Sequence, residues 1–501
     1  MIINNPTTKK IVILGGGTAG WMAANLLHHY LAQSGFTISL IESPDIPTVG
    51  VGEGSTPQLR QFFNTLGIAE QDWMPACNAT YKNGISFMNW SDKPDFEEYF
   101  HPFPSAPDRQ TAAGFLQNCM ARRRGYNVDV HPNRYFLSAY LAEQTLSPKT
   151  KTAHNIAINY AYHFDSLSLG KYLSNIAVAK GITHVQATCD AVTNHANGDI
   201  QSIITQCGMR IDGDVFIDCS GFRAVLIQQH LGGAFKSYQD MLFNDSAIAI
   251  ASPAKETINS QTLSTALKNG WAWDIPLTNR VGNGYVYSSA FISADEAETE
   301  LRDKLGMLDS DTPARRLSMK IGRVEQHWVK NCLAVGLSQG FIEPLEATAL
   351  HLVQETIESF VSAFIAGNFT VQHQGQFNQR INARFDGIRD YIVCHFKANN
   401  RSDSEYWIAN RENNTISESL RLILECWDKG GDITTEINRQ QIAAYYPAVS
   451  WHCLLAGYGR FNTILRPKES SMAEKDNLLA IDNFIHKCAT GFIPHKKALL
   501  L

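Results

Sequence analysis

"KKIVILGGGTAGWMAANLLHHYLAQSGFTISLIE", residues 9–42, reads as strand, glycine turn, helix and second strand. The apolar run at 11–14 suits a strand covered on both faces, and the helix-like stretch after it returns the chain to a parallel neighbour. Gly15, Gly17 and Gly20 form GxGxxG directly after the strand and at the opening of the helix, the context that lifts this spacing above a chance match. With Thr18 and Ala19 inside the same turn, backbone N–H groups can approach a pyrophosphate. Glu42 ends the second strand, where a carboxylate accepts from ribose hydroxyls and repels a 2′-phosphate. The turn predicts a bound dinucleotide.

FAD is favoured over NAD. "DVFIDCSG" (214–221) and "NCLAVGLSQGF" (331–341) are late strands that each end at a glycine turn, as in two-part FAD folds, and the second puts Gly336 and Leu337 at the cofactor. No second GxGxxG with strand context occurs, which argues against a resident nicotinamide domain. The expected class is α/β: a Rossmann-like FAD domain of the glutathione-reductase type, residues 1–350, and a mainly helical region, 351–501, bordering the substrate pocket. An inserted sheet on the substrate side is expected from about 85–160 and 240–330. "HVQATCDAV", "IQSIITQ" and "DVFIDCSG" read as three strands that complete the α/β sheet.

The chain has 501 residues, 44% of them hydrophobic, enough for a large core. Its formal charge of -5 is spread without long blocks, which implies neither nucleic acid nor an anionic membrane as partner. The triple "RRR" at 122–124 reads as a solvated face. Ten scattered cysteines without a CxxC pair fit reduced thiols, and no stretch of about 18 apolar residues occurs, so a cytoplasmic protein with no membrane segment is expected.

"FIEPLEATAL" (341–350) carries Glu343 and Glu346 around Pro344, ahead of an apolar helical stripe. Pro344 suits a first helical turn, and acids there complement the helix dipole. Taken alone, that dipole role is the simpler account of both carboxylates. Likewise Trp271 and Trp273, at i and i+2 of a strand, taken alone are one packed face.

Several motifs change that balance. "GWAWDIPL" (270–277) matches, through Trp271, Trp273, Ile275 and Pro276, the WxWxIP pattern of the flavin-dependent tryptophan and indole halogenases. "GGGTAGW" is similar to that family's opening, "VGVGEGSTP" to its flavin-contacting strap, "YKNGISFMNW" to its lysine segment and "GFIEPLEATAL" to its active-site helix, in the family's order across most of the chain.

The resemblance implies that Lys82 is the catalytic lysine and Glu346 its partner acid. By the same carry-over, Val51, Gly52, Glu53, Gly54 and Ser55 form the strap, and His101 and Phe103 of "YFHPF" wall an aromatic pocket. Trp451, with Tyr445 and Tyr446, supplies further candidate walls. Thr348 and Ala349 offer backbone amides to a halide, and the tryptophan strand fences the channel between flavin and lysine. Where the family reads Glu-Ser-Thr-Gly this chain reads Glu346, Ala347, Thr348, Ala349, leaving chloride against bromide open. Without the resemblance, Lys82 reads as a surface lysine, His101 as a hydrogen-bonded loop histidine and Phe103 as core.

The implied chemistry uses FADH2, supplied by a separate flavin reductase, with oxygen and halide to make hypohalous acid. Lys82 and Glu346 then direct the halogen onto a small aromatic substrate, indole or a simple indole derivative ahead of free tryptophan. A homodimer is common in such families. An FAD-dependent aromatic hydroxylase and a noncatalytic flavin-binding protein are the alternatives. No metal is called for.

Overall fold

The computed structural model describes residues 8–46, 52–151, 156–462, 468–469 and 472–500. The opening stretch folds as its pattern dictates. Strands Lys9–Leu14 and Phe36–Glu42 pair in parallel, with helix Thr18–Leu31 crossing between them. They centre a six-stranded sheet in the order Thr183–Gln186, Phe36–Glu42, Lys9–Leu14, Val215–Asp218, Cys332–Ala334, Trp328–Val329. All pairs are parallel except the last. Both late strands foreseen for the cofactor fold are therefore present, Val215–Asp218 beside the first strand and Cys332–Ala334 beside Val215–Asp218.

One part of the expected sheet is corrected. "HVQATCDAV" is two strands: Thr183–Gln186 joins the parallel sheet, and Cys189–Asn194 turns away to pair with Ile200–Thr205 and then Arg210–Asp212 in a separate antiparallel sheet. The break falls where the Ala187 N–H is taken by the Glu42 carbonyl and the Thr188 carbonyl by the Gln206 N–H, so the ladder changes partner there.

A second large sheet, of seven strands, runs in the order Arg315–Ser318, Ser246–Pro253, Arg280–Tyr287, Gly270–Pro276, Thr262–Leu267, Gly84–Met88, Glu98–Pro102. It draws on both segments read as insertions. A third sheet is small and decisive for the site: Ala161–Asp165 is its middle strand, with Gly52–Gly54 on one edge and Thr80–Lys82 on the other. Beyond residue 348 the described regular structure is almost wholly helical, led by Ala349–Ala366 and Gln374–Ala398.

Two further expectations are corrected. The arginine triple is only partly a solvated face: Arg124 is exposed, but Arg123 lies over the Trp427 ring at 4.4 Å and donates to the Gly431 carbonyl at 2.7 Å. Pro344 does not open the helix, which begins at Ala349. Ala347 adopts φ +55, a left-handed conformation that a right-handed helix cannot pass through, so residues 344–347 form a turn ahead of it.

The glycine turn is closed by backbone contact. Gly15 has φ +119, and a methyl on Gly20 would sit 2.0 Å from the Gly15 carbonyl oxygen, whereas nothing lies within 4 Å of one on Gly17. Gly20→Ala is expected to destabilise the cofactor-free protein by about 1–3 kcal/mol through overpacking. Gly17→Ala is expected to leave its melting temperature near wild type, and thermal melts of the two variants side by side check this contrast.

Candidate active site

The cradle at the first helix suits a dinucleotide. Gly17 caps the helix in an extended conformation without a side-chain bond, and the Thr18, Ala19 and Gly20 amides precede the first N–H that the helix itself uses, that of Trp21. Such amides, at the positive end of the helix dipole, fit a pyrophosphate. A methyl on Gly16 would strike the Glu42 carboxylate at 2.1 Å, so the missing side chain lets Glu42 stand beside the turn. Gly336, at φ +72, faces Ala19 closely enough that a methyl there would meet its Cβ at 2.8 Å, which brings Gly336 and Leu337 to the same end of the sheet. The Thr18 hydroxyl is directed elsewhere, donating to the Ser166 carbonyl at 3.2 Å.

The strap is an edge strand of the small sheet and packs on the seven-stranded one. Val51 lies outside the described residues. Gly52 packs on Gly282 and Ile275 so tightly that a methyl would meet both at 3.3 Å. Glu53 is half-buried, and desolvation pushes its carboxyl up to about 7 against the hydrogen bond from Ser166. Ser55 serves the strand pairing, exchanging backbone and hydroxyl bonds with Tyr162.

Lys82 ends the strand on the far edge of the same small sheet and is fully buried, and its Nζ makes no hydrogen bond among the described residues. Burial lowers its pKa to about 7, with the Glu346 charge acting in the opposite direction. Nζ lies 5.8 Å from the centre of the half-buried Phe103 ring. Pairing of Gly84 with Pro102 explains that approach, because Lys82 and Phe103 lie just beyond the paired strand ends.

Glu346 is held from two sides. His101 Nδ1 stands 2.9 Å from both carboxylate oxygens, and His395 Nε2 stands 2.9 Å from Oε1. Burial alone would raise this carboxyl; the two histidines outweigh it and bring the pKa down to about 2. A carboxylate only accepts, so each histidine donates from the nitrogen facing it. For neutral His395, Nδ1 then accepts from the Tyr458 hydroxyl 2.8 Å away. Tyr391 stacks beside His101, with Tyr446 parallel to it at 3.6 Å and Trp451 edge-on at 4.9 Å. The buried Trp451 Nε1 and Tyr446 hydroxyl have no partner among the described residues.

His395, Tyr391 and Tyr458 escaped the sequence reading. The available signal was weak: in "DYIVCHF" Tyr391 and His395 stand at i and i+4, on one helical face, but a lone histidine in an apolar run reads first as core.

Glu343 belongs to a different environment from Glu346. Its Oε2 accepts from Trp271 Nε1 at 2.7 Å and Asn244 Nδ2 at 2.8 Å, while Oε1 is buried without a partner among the described residues. Burial raises this carboxyl to about 7 despite those two bonds. Trp273 lies over Gly284 of the next strand, where a methyl would meet its ring at 2.0 Å, and Pro276 gives its carbonyl to Thr80. The tryptophan strand is thereby tied to the acid turn at one end and to the lysine strand at the other. Thr348 caps the helix without a side-chain bond and Ala349 is its first residue, so their amides face away from the helix's own ladder.

Residues 10–474 match the family model described as Tryptophan halogenase. The chain belongs to the tryptophan halogenase family. It is similar to the 7-chloro-L-tryptophan 6-halogenase KtzR of Kutzneria sp. (strain 744), 36% identical over 95% of this chain and 94% of the relative. It also resembles a tryptophan 6-halogenase of Streptomyces toxytricini, whose crystal structure superposes with a TM-score of 0.85 at 33% identity, covering 98% and 99% of the two chains. BrvH, a flavin-dependent halogenase from Brevundimonas sp. BAL3, superposes at 0.84 with 28% identity over 98% and 99%. The chain is thus an enzyme of the flavin-dependent halogenase class. Among the described residues no helix is long and apolar enough to cross a membrane, and no acid, histidine or cysteine cluster has the makings of a metal site.

The two acids of this member of the tryptophan halogenase family titrate in opposite senses. Glu343 keeps its proton in the folded state up to about 7, so the penalty for burying its charge is absent at low pH and lowers stability as pH rises from the unfolded carboxylate range through about 7. Glu346 contributes stability above the unfolded carboxylate pKa and loses it as pH falls toward about 2. Glu343→Gln, which keeps the acceptor for Trp271 and Asn244, is expected to raise the melting temperature at alkaline pH and to change it little under mildly acidic conditions. Melts across pH check the sign.

Proposed function

We propose that this halogenase transfers an electrophilic halogen to an electron-rich heteroarene of the indole class, with Lys82 and Glu346 as its catalytic pair. The observation that carries the reading is the placement of both groups: each is buried, the acid's charge acts on the lysine, Phe103 lies beside the lysine and His101 is bonded to the acid. Reduced FAD, provided by a separate flavin reductase, supplies hypohalous acid from oxygen and halide. The Gly15, Gly17 and Gly20 turn, Glu42, the strap and the Gly336–Leu337 turn hold that cofactor in this reading. The Thr348 and Ala349 amides bind the halide, and the strand with Trp271, Trp273, Ile275 and Pro276 separates the flavin side from the arene side.

The division of labour follows from the electrostatics. At neutral pH a lysine with a pKa of about 7 is present both as ammonium and as amine. The ammonium donates to hypohalous acid and polarises it, and the amine can carry the halogen itself; either delivers it beside Phe103, His101 and Trp451. Attack leaves a cationic ring that must lose a proton. The Glu346 carboxylate stabilises that cation, and so acidic a ring proton needs only a weak base. The two histidines make two contacts to Oε1 and one to Oε2, so the acceptor position left on Glu346 is on Oε2.

The test is to supply FAD, a flavin reductase, bromide or chloride, and a panel of indole, tryptophan, pyrroles and phenols, and to read halogen isotope patterns by mass spectrometry. Halogenated indoles support the reading; oxygenated products without halogen would replace it with a hydroxylase. Lys82→Ala is expected to lower halogen incorporation on the order of 10²-fold or more while FAD binding and consumption of reduced flavin persist. Glu346→Gln should behave alike in product yield.

A further inference from the structure

A chain of hydrogen bonds on the strap side of Lys82 has no part in the reaction as described. It starts at the Pro276 carbonyl, which can only accept, so the Thr80 hydroxyl donates to it over 2.7 Å. With its one proton committed, Thr80 Oγ1 is an acceptor for His163 Nδ1, 3.0 Å away, and Nδ1 carries the hydrogen. Burial, and then the charge of Lys82, hold the His163 pKa well below the ordinary range, so the ring is neutral and its Nε2 is bare. Thr262 Oγ1, 2.9 Å from Nε2, must therefore donate to it. With that proton fixed, the Thr262 oxygen has only lone pairs left to offer.

The small sheet brings those lone pairs to Lys82. Gly54, His163 and Thr80 lie in one cross-strand row, and Thr80 and Lys82, at i and i+2, share a face. A methyl on Gly54 would lie 3.1 Å from Lys82 Nζ, 3.3 Å from Thr262 Oγ1 and 3.6 Å from His163 Cδ2. All three groups thus border the space left by the missing side chain. The titratable groups around Nζ are Glu346 from the turn before the helix, His163 from the middle strand and, behind His163, His495.

We propose that Thr262, oriented by His163 and Thr80, is a positioning residue that accepts a hydrogen bond from Lys82 across the gap at Gly54 and so holds the amine on the strap side of the chamber. This rests on the reading of Lys82 as the group that handles the halogen. Lysine's flexible stem then swings between two stations, the Thr262 oxygen beside the strap and the Phe103 ring on the arene side. Thr262 favours the ammonium, because an acceptor stabilises only the form with a proton to give.

The experiment compares wild type, Thr262→Val, Thr262→Ser and Lys82→Ala with FAD, a flavin reductase, bromide and indole. It measures brominated product per reduced flavin consumed, and product formation from about pH 6 to 9, around the lysine's titration. Thr262→Val is expected to bind FAD and consume reduced flavin as wild type does, to give about tenfold less product per flavin, and to shift the lysine limb of the profile down by roughly one pH unit, the scale of one hydrogen bond to a charged group. Thr262→Ser should restore both. A Thr262→Val enzyme with wild-type yield and pH profile, beside an inactive Lys82→Ala enzyme, overturns this inference alone. A Lys82→Ala enzyme that still brominates indole overturns the reading of Lys82 itself.

Discussion

Lys82 carries an amine into the interior with no hydrogen bond from the described residues, and the opposing charge of Glu346 acts on it. Taking an ammonium out of water is costly unless a counter-charge is near, and here the compensation is incomplete, since the lysine's pKa still falls to about 7. Much of the surrounding architecture serves to hold these two groups close without letting them pair. Thr80–Lys82 is fixed by the middle strand Ala161–Asp165 and by the Thr80 bond to Pro276. Glu346 is fixed by a left-handed turn at Ala347 and by two histidines from separate elements. If the carboxylate were free to reach the amine, a buried ion pair would form and neither group would be available to a substrate.

The elements that the sequence made legible are those with local rules. GxGxxG after an apolar strand needs only neighbours within a few residues, and its outcome, a parallel pair with a crossover helix, followed. The late strands were legible because each is a short apolar run ending at a glycine turn. "HVQATCDAV" was misread because period-two patterning says where a strand is, not which sheet it joins, and its partner changes at Ala187. Pro344 was misread for a related reason: a proline before an apolar stripe fits a first helical turn, and nothing in "EPLEATAL" announces the positive φ of Ala347.

Site legibility divides in the same way. Lys82, Glu346, His101 and Phe103 were singled out through motifs, and the structure draws them together from the lysine strand, the strand Glu98–Pro102 with its exit, and the turn ahead of Ala349. His395 and Thr262 carry no motif; their relation to Glu346 and Lys82 exists only after Gln374–Ala398 and Thr262–Leu267 are packed. Glu343 is the clearest case of a motif concealing two roles. The same five residues, "EPLEA", hold one carboxyl kept protonated near neutrality by burial and bound to Trp271, and another kept ionised by histidines. Spacing could not separate them, since what differs is which wall each side chain meets.

That difference also explains why the acid turn and the tryptophan strand belong to one device. Trp271 is fixed by Glu343, Ile275 packs on the strap at Gly52, and Pro276 receives Thr80 of the lysine strand. A displacement of the tryptophan strand would therefore disturb the acid turn, the strap and the lysine together. Such coupling suits the proposed reaction, in which the oxidant is made on one side of the tryptophan strand and used on the other, because that strand, the acid turn and the lysine strand keep one geometry. Lys82 shares that geometry through its strand, while its Nζ, without a hydrogen bond among the described residues, is left for the movement between the two sides that the proposed halogen transfer requires.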